Sequence, residues 1–356
     1  MSKFLNRKYE NLEVYTPGEQ PQDMQYIKLN TNESPYPPSP GVIKAINRPE
    51  IENLRLYPDP ECNVIKEKLA KLYDVKKENV YLSNGSDDIL NFAFIAFTSG
   101  ETTAIFPEIT YGFYQVFADL NSAPYKKIPL KEDFSINYKD YCNAEGMVVI
   151  ANPNAPTGIS LSIDEITEIL ETNRDNIVLI DEAYVDFGGE SCIPLIKKYD
   201  NLLVVQTFSK SRSMAGARLG FAIANEDIIK DLERIKYSTN PYNINRLTMK
   251  AAEAAIDEND YYMQKCSEII STREKTAFEL KTLGFTVLPS LSNFLFIKSN
   301  EIDGETFYKE LKSRGILIRH FTTETIKDFN RVTIGTKEQM EVFIKEVKEI
   351  LKERGK

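Results

Sequence analysis

The 356-residue sequence has no tryptophan, a single histidine (His320), four cysteines and no long apolar run. One histidine rules out a multi-histidine metal centre, and no metal is expected. A serine–histidine or cysteine–histidine mechanism would have to rest on His320, around which no motif is built. Cys62, Cys142, Cys192 and Cys266 are scattered without a C-x-x-C pair, so free thiols are expected in place of a disulfide framework. No stretch approaches the ~20 apolar residues of a membrane span, and residues 1–10 are polar with no signal-peptide core. A cytoplasmic protein with no membrane contact is the expectation. No G-x-G-x-x-G follows an apolar run, which removes the dinucleotide fingerprint. Net charge is −9, with no dense basic block outside a Lys/Glu-rich C-terminal helix, so no nucleic-acid surface is indicated. Any phosphate on a ligand must be met by a local site.

The composition, 42% hydrophobic and 27% charged, is that of a soluble chain long enough for two domains. Residues 1–40 are rich in proline and asparagine and predict an extended arm that packs on another surface, such as a partner subunit. Helices are expected over residues 40–47 and 61–72, joined by the turn Leu56-Tyr57-Pro58-Asp59-Pro60. Three later units repeat one layout. Residues 147–151 run into Asn152-Pro153-Asn154-Ala155-Pro156-Thr157-Gly158, residues 177–180 into Asp181-Glu182-Ala183-Tyr184, and residues 202–206 into Thr207-Phe208-Ser209-Lys210. Short, nearly all-apolar runs of this kind read as buried parallel strands, and their polar residues fall at carboxyl ends, where open α/β sheets bind ligands. These units place a large ligand-binding domain over residues 41–245. A long connecting helix is expected over residues 246–270, and alternating strands and helices then make 246–356 a smaller α+β domain.

Several side chains stand out chemically. Burying the ammonium of Lys210 would depress its pKa, which suits Schiff-base formation with an aldehyde, although most lysines are simply solvated. Thr207 and Ser209 can offer hydroxyls to a phosphate, and Arg218 paired donors. Gly85, Ser86 and Asp87 follow a short strand and open a helix, so their amides can cradle an anion; the same residues also read as ordinary N-capping. Asp181 ends an apolar run and needs a partner if buried, which a protonated pyridine nitrogen would provide; it reads equally as a helix cap. Tyr111 can stack on a flat ring or pack in the core, and Tyr57 can be a local packing residue. Arg319 and Arg331, at strand edges, either bind an anionic group or lie on the surface.

Taken in order, residues 152–158, Asp181 to Tyr184, and Ser209-Lys210 with Arg218 and Gly220 resemble the fold-type I pyridoxal phosphate aminotransferases. Residues 29–37, Leu56-Tyr57-Pro58-Asp59, Asn84-Gly85-Ser86-Asp87-Asp88 and Tyr242-Asn243-Ile244-Asn245 are similar to the histidinol-phosphate aminotransferase branch, and the similarity spans nearly the whole chain. The resemblance implies an α/β fold: a large domain with a mostly parallel sheet flanked by helices, and a smaller C-terminal domain. It implies pyridoxal 5'-phosphate as cofactor, with Lys210 joined to its aldehyde, Asp181 paired with the pyridine nitrogen, Tyr184 bonded to the 3-hydroxyl and Tyr111 stacked on the ring. The phosphate would be held by amides of Ser86 and Asp87, by Thr207, Ser209 and Arg218, and by Tyr57 of the other subunit of a homodimer. Arg331, Arg319 and Asn32 would contact substrate. Family members usually carry asparagine directly before Pro-Thr-Gly, where this chain has Ala155, so either Asn154 reaches in its place or Tyr184 acts alone. The implied reaction carries the amino group of histidinol phosphate to 2-oxoglutarate in histidine biosynthesis. Threonine-phosphate decarboxylase and aromatic amino-acid aminotransferase are the alternatives on the same fold. A cofactor-binding regulator would need a DNA-binding module, for which the segment before Tyr57 is too rich in proline.

Overall fold

The apolar runs of the sequence become the centre of one sheet. In the computed structural model, which describes residues 2–10, 12 and 15–355, twelve strands form two sheets among the described residues. The larger sheet has the order β2 (Val80–Ser83), β8 (Gly220–Ala224), β7 (Leu202–Thr207), β6 (Val178–Asp181), β5 (Gly146–Ala151), β3 (Thr103–Pro107) and β4 (Tyr125–Ile128), with β8 alone antiparallel to its neighbours. Side chains of β5 to β7 alternate between two cores. Val148, Ile150, Ile180 and Val204 face the helices Asn63–Tyr73 and Ile163–Thr172; Met147, Val149, Leu179 and Val205 face Ser86–Phe97 and Phe113–Asn121. Both faces are covered, which is why these strands carry no polar alternation.

The smaller sheet has the order β1 (Ile27–Leu29), β11 (Ile316–His320), β12 (Phe329–Thr333), β10 (Phe294–Ser299) and β9 (Phe285–Val287), with β1 parallel to β11 and the other pairs antiparallel. Its core contains Leu29, Ile318, Val332 and Phe343.

The arm over residues 1–40, part of which lies outside the described residues, packs on its own chain: the extended segment Ile27-Lys28-Leu29 adds an edge strand to the small sheet, because Leu29 finds an apolar core there. One expectation is corrected. The helix expected over residues 246–270 is two helices, Arg246–Asp257 and Asn259–Thr282, with Glu258 between them at φ −103°, ψ 34°. Its carboxylate accepts the Gly41 N–H at 2.8 Å, one of the donors left open at the start of the helix Pro40–Ala45. Asp257, Asn259 and Asp260 around Glu258 have weak helix preference, and this external bond ties the junction to the start of the helix Pro40–Ala45. The chain crosses from the large core to the small one further along, between Tyr262 and Cys266.

Close approach of β5 to β3 depends on one glycine. Gly146 has φ +153°, and a Cβ there would sit 2.0 Å from the Thr103 carbonyl oxygen. Gly146→Ala should therefore lower stability by roughly 1–3 kcal/mol, read as a shift in the urea unfolding midpoint. Gly100→Ala, with no atom within 4 Å of the added carbon, should leave the midpoint unchanged.

Candidate active site

Strands β5 and β6 end level, Ala151 pairing with Asp181, and β7, whose Val205 pairs with Asp181, runs two residues further to Thr207. Beyond them lies a cavity of about 320 Å³ lined by Ser86, Asp87, Tyr111, Asp181, Tyr184, Thr207, Ser209, Lys210 and Arg218, together with Ala155. The Lys210 ammonium donates to the Thr31 carbonyl oxygen at 3.3 Å. Removal from water, with the Arg331 charge adding to it, pulls its pKa down to about 8. A useful fraction of the amine is therefore neutral near neutral pH.

Asp181 is 5% exposed. Its carboxylate accepts the Tyr114 hydroxyl at 2.9 Å and the Ala183 N–H at 3.2 Å. Burial nevertheless pushes its pKa up to about 6, against the pull of those two bonds. It caps no α-helix, since β6 runs into a short 3-10 turn at Val185–Phe187. The Tyr184 hydroxyl oxygen accepts from Asn32 Nδ2 at 2.9 Å, and burial raises its pKa while Arg331 opposes the rise.

The helix Ser86–Phe97 starts after Gly85, at φ +88°, with no side chain capping its amides. Ordinary capping is thus not what its first residues do. Asp87 accepts from the Tyr111 hydroxyl at 2.8 Å and from Arg218 Nη2 at 3.1 Å; Asp88 accepts from Ser83 Oγ at 3.1 Å and Asn243 Nδ2 at 3.3 Å. Thr207 Oγ1 and Ser209 Oγ are 2.9 Å apart, and Arg218 Nη1 lies 3.5 Å from Ser209 Oγ. Gly220 lets this helix start approach β8: a Cβ at Gly220 would be 2.4 Å from the Ser86 nitrogen. Free amides, two hydroxyls and a guanidinium converge in an arrangement suited to a phosphate.

Arg319 and Arg331 face each other across β11 and β12 as register partners. Like charges directly opposed in a sheet repel, and an anion between them would relieve the strain. Arg331 donates to the Asn30 carbonyl oxygen at 3.1 Å, its buried Nε has no partner among the described residues, and burial lowers its pKa. Arg319 is turned to the arm and donates to the carbonyl oxygens of Thr16 at 3.1 Å and Pro17 at 3.3 Å. Tyr15, on the same arm, stacks on Phe113 at 4.1 Å between ring centroids and lies 6.2 Å from the Tyr111 ring.

Six expected site residues do not line the cavity: Gly85, Arg319 and Arg331, placed above, and Asn154, Asn32 and Tyr57. Asn154 is fully buried: its Oδ1 accepts from Thr110 Oγ1 at 2.8 Å and its Nδ2 donates to the Ile109 carbonyl oxygen at 3.0 Å. Those bonds hold the loop before Tyr111, so Asn154 does not stand in for the residue replaced by Ala155. The polar groups of Asn32 are likewise taken by Tyr184, Thr333 and Asn293. Tyr57 stacks on Tyr242 at 4.6 Å and is 79% exposed, outside the cavity of its own chain. Sequence reading missed Tyr114 and Tyr15. Neither carries a signal that separates it from an ordinary packing aromatic.

A sequence profile of the aminotransferase class I and II family matches residues 24–347. The histidinol-phosphate aminotransferase of Brachyspira hyodysenteriae is 53% identical over 353 residues, covering 99% of this chain and 100% of that protein. The chain belongs to the class I and II aminotransferases. Among solved structures, the histidinol-phosphate aminotransferase of Sinorhizobium meliloti in complex with pyridoxal-5'-phosphate aligns with a TM-score of 0.85 at 20% identity, covering 99% of each chain. The L-threonine-O-3-phosphate decarboxylase of Porphyromonas gingivalis aligns with a TM-score of 0.79 at 22% identity, covering 92% of this chain and 99% of that one. At those identities the two structures establish a shared fold, that of the fold-type I aminotransferases, and do not separate the two reactions.

The aminotransferase cavity fits a pyridoxal phosphate by its donor set. A buried carboxylate held by neutral donors suits a protonated ring nitrogen, uncapped helix amides with Arg218 suit the phosphate, and an amine of lowered pKa suits an aldehyde. The pKa of Asp181 is raised in the fold, so between about pH 4 and pH 6 the native protein keeps a proton that the unfolded chain has lost. That contribution to stability is complete below the unfolded pKa and is lost as pH rises through the window. In cofactor-free protein, Asp181→Asn should flatten this slope and raise stability at pH 7 by on the order of 2 kcal/mol. Urea denaturation of both proteins from pH 4 to pH 8 checks it; an identical slope in the variant would count against the assignment.

Proposed function

We propose that this aminotransferase moves the amino group of histidinol phosphate to 2-oxoglutarate, in the cytoplasm, with pyridoxal 5'-phosphate bound in the cavity at the ends of β5 to β7. The observation that carries the reading is the amine of Lys210, lowered to about pKa 8, sharing a cavity with the buried carboxylate of Asp181 and an uncapped helix start. The 53% identity to a histidinol-phosphate aminotransferase along the whole chain supports the substrate.

When bound, pyridoxal phosphate supplies an electron-withdrawing ring that makes the hydrogen on the amine-bearing carbon acidic. Lys210 Nζ, partly neutral at working pH, is the base that takes this proton. Asp181 holds a proton on the ring nitrogen, its own negative charge being stabilised by Tyr114 and Ala183. Tyr184 donates to the ring hydroxyl. Tyr111 forms the wall beside the ring, fixed by its bond to Asp87. The amides of Ser86 and Asp87, the hydroxyls of Thr207 and Ser209, and Arg218 hold the phosphate, while the Gly85 N–H is taken by the Ser83 carbonyl oxygen at 2.8 Å. Tyr57, exposed on this chain, reaches the phosphate site of a partner in a homodimer.

Arg331 grips the substrate anion, assisted by Arg319 once its guanidinium leaves the carbonyls of Thr16 and Pro17. Residues 41–245 carry the cofactor in this reading, and 246–356 carry the two arginines. Decarboxylation of threonine phosphate is the second reading, favoured by the shared fold and disfavoured by full-length identity to histidinol-phosphate aminotransferases.

Two measurements test the proposal. Lys210→Ala should lose both turnover and the visible absorbance of the loaded protein, and wild-type protein should form glutamate from histidinol phosphate while releasing no carbon dioxide from threonine phosphate. The opposite product pattern would overturn the reading. Arg331→Ala should lower kcat/KM for histidinol phosphate by roughly 10–100-fold, with the cofactor absorbance kept.

A further inference from the structure

The hydroxyl of Tyr184 has one proton to give, and the residues behind it decide where that proton goes. Asn32 is 1% exposed and sits in the left-handed region at φ +56°. Its backbone N–H donates to Thr333 Oγ1 at 3.0 Å, and its carbonyl oxygen accepts from Asn293 Nδ2 at 2.9 Å. The backbone is therefore pinned to β12 and to the turn before β10. Thr333 is buried, and among the described residues the acceptor available to its hydroxyl proton is Asn32 Oδ1, at 3.0 Å. That bond settles the amide orientation: the oxygen faces Thr333, and Nδ2 faces the Tyr184 hydroxyl at 2.9 Å. The reverse orientation would leave a buried hydroxyl proton without an acceptor, a costly arrangement.

An amide nitrogen only donates, so the Tyr184 oxygen receives the Asn32 proton and turns its own O–H elsewhere. Tyr184 lines the cavity and Asn154 does not reach it, while Ala155 offers no side-chain donor. We infer that Asn32, held by Thr333, is a positioning residue that commits the single Tyr184 proton to the cavity, doing for this chain what a second ring-oxygen donor would otherwise do. This rests on the function proposed above, in which Tyr184 donates to the ring hydroxyl of the cofactor. The role differs from the substrate contact expected of Asn32 from the sequence. Thr333 lies two residues beyond Arg331 on β12, so the strand that carries the anion-binding arginine also carries the group that sets the tyrosine proton.

Asn32→Asp separates orientation from shape. The new side chain is nearly isosteric and tolerates a positive φ, but a carboxylate accepts where the amide donated, so Tyr184 would donate backwards and withdraw its proton from the cavity. A donor to the ring oxygen favours its negative charge, which is least compensated when the nitrogen joining Lys210 to the cofactor is unprotonated. Loss of that donor raises the pKa of this nitrogen.

The experiment is an absorbance titration of the cofactor-loaded protein, alongside thermal melts of the cofactor-free forms. Asn32→Asp should raise the pKa of the visible chromophore by at least about 1 unit, a tenfold change in the protonation equilibrium, with a cooperative melt kept at a lower temperature, as a carboxylate buried at this position requires. In a Tyr184→Phe background the same substitution should move the pKa by much less, because only the added charge remains. Thr333→Val, which adds no charge, should raise the pKa in the Tyr184 protein and not in the Tyr184→Phe one. Equal shifts in both backgrounds, or no shift in either, would overturn the inference while leaving the proposed function standing. A wild-type protein that forms no visible chromophore with pyridoxal phosphate would overturn both.

Discussion

A carboxylate ends a strand in the interior of this protein with two neutral donors to hold it, and burial drives its pKa upward. Much of the surrounding architecture can be understood from that cost. Isolated buried charge is tolerated where a ligand will complete it, and the neighbouring ends of β5, β6 and β7 place Asp181, the Lys210 loop and the Asn152-to-Gly158 turn around one cavity. The amine of Lys210 is the complementary case: a cation held away from water, with another cation, Arg331, near enough to lower its pKa further. Each group is strained alone in the same sense that a cofactor with a basic ring nitrogen and an aldehyde would relieve.

The glycines beside this site serve approach and not flexibility. Gly220 brings β8 against the first turn of the helix Ser86–Phe97, and Gly85 leaves that turn uncapped. Without a side chain to cap them, its amides remain available to an anion, while Asp87 is drawn aside by Tyr111 and Arg218. A helix start that would ordinarily be finished by its own sequence is thus left to be finished by a ligand.

The arm ties the two sheets together at the mouth of the site. Ile27-Lys28-Leu29 joins the small sheet, Tyr15 packs on Phe113 from the large domain, and Arg319 holds the carbonyls of Thr16 and Pro17. Next to the arm strand, Asn32 connects Thr333 of the small sheet to Tyr184 in the loop after β6. The Arg319–Arg331 pair and the cavity-lining Tyr184 are therefore linked through the arm although they lie far apart in the chain.

The strand-then-polar rhythm of residues 147–210 was readable because strands buried on both faces lose their polar alternation, and that loss is local. Asp181 and Lys210 could be picked out for the same reason, as polar residues at or just beyond the ends of apolar runs; Arg218 stood out by its paired donors eight positions after Lys210, and Tyr184 through the family resemblance alone. The order of motifs along the chain was enough to suggest the aminotransferase family. Other features were not written locally. Tyr114 became a partner of Asp181 only when the helix after β3 packed against β6, and Asn154 left the cavity because Ile109 and Thr110 offered its amide bonds first. The junction at Glu258 is tied to a donor at Gly41, more than two hundred positions away in sequence. The sequence by itself determined which residues could do chemistry and which strands would carry them. The tertiary structure alone decided which hydrogen-bond partners they found, because a side chain with several acceptors in reach takes the one that folding brings closest.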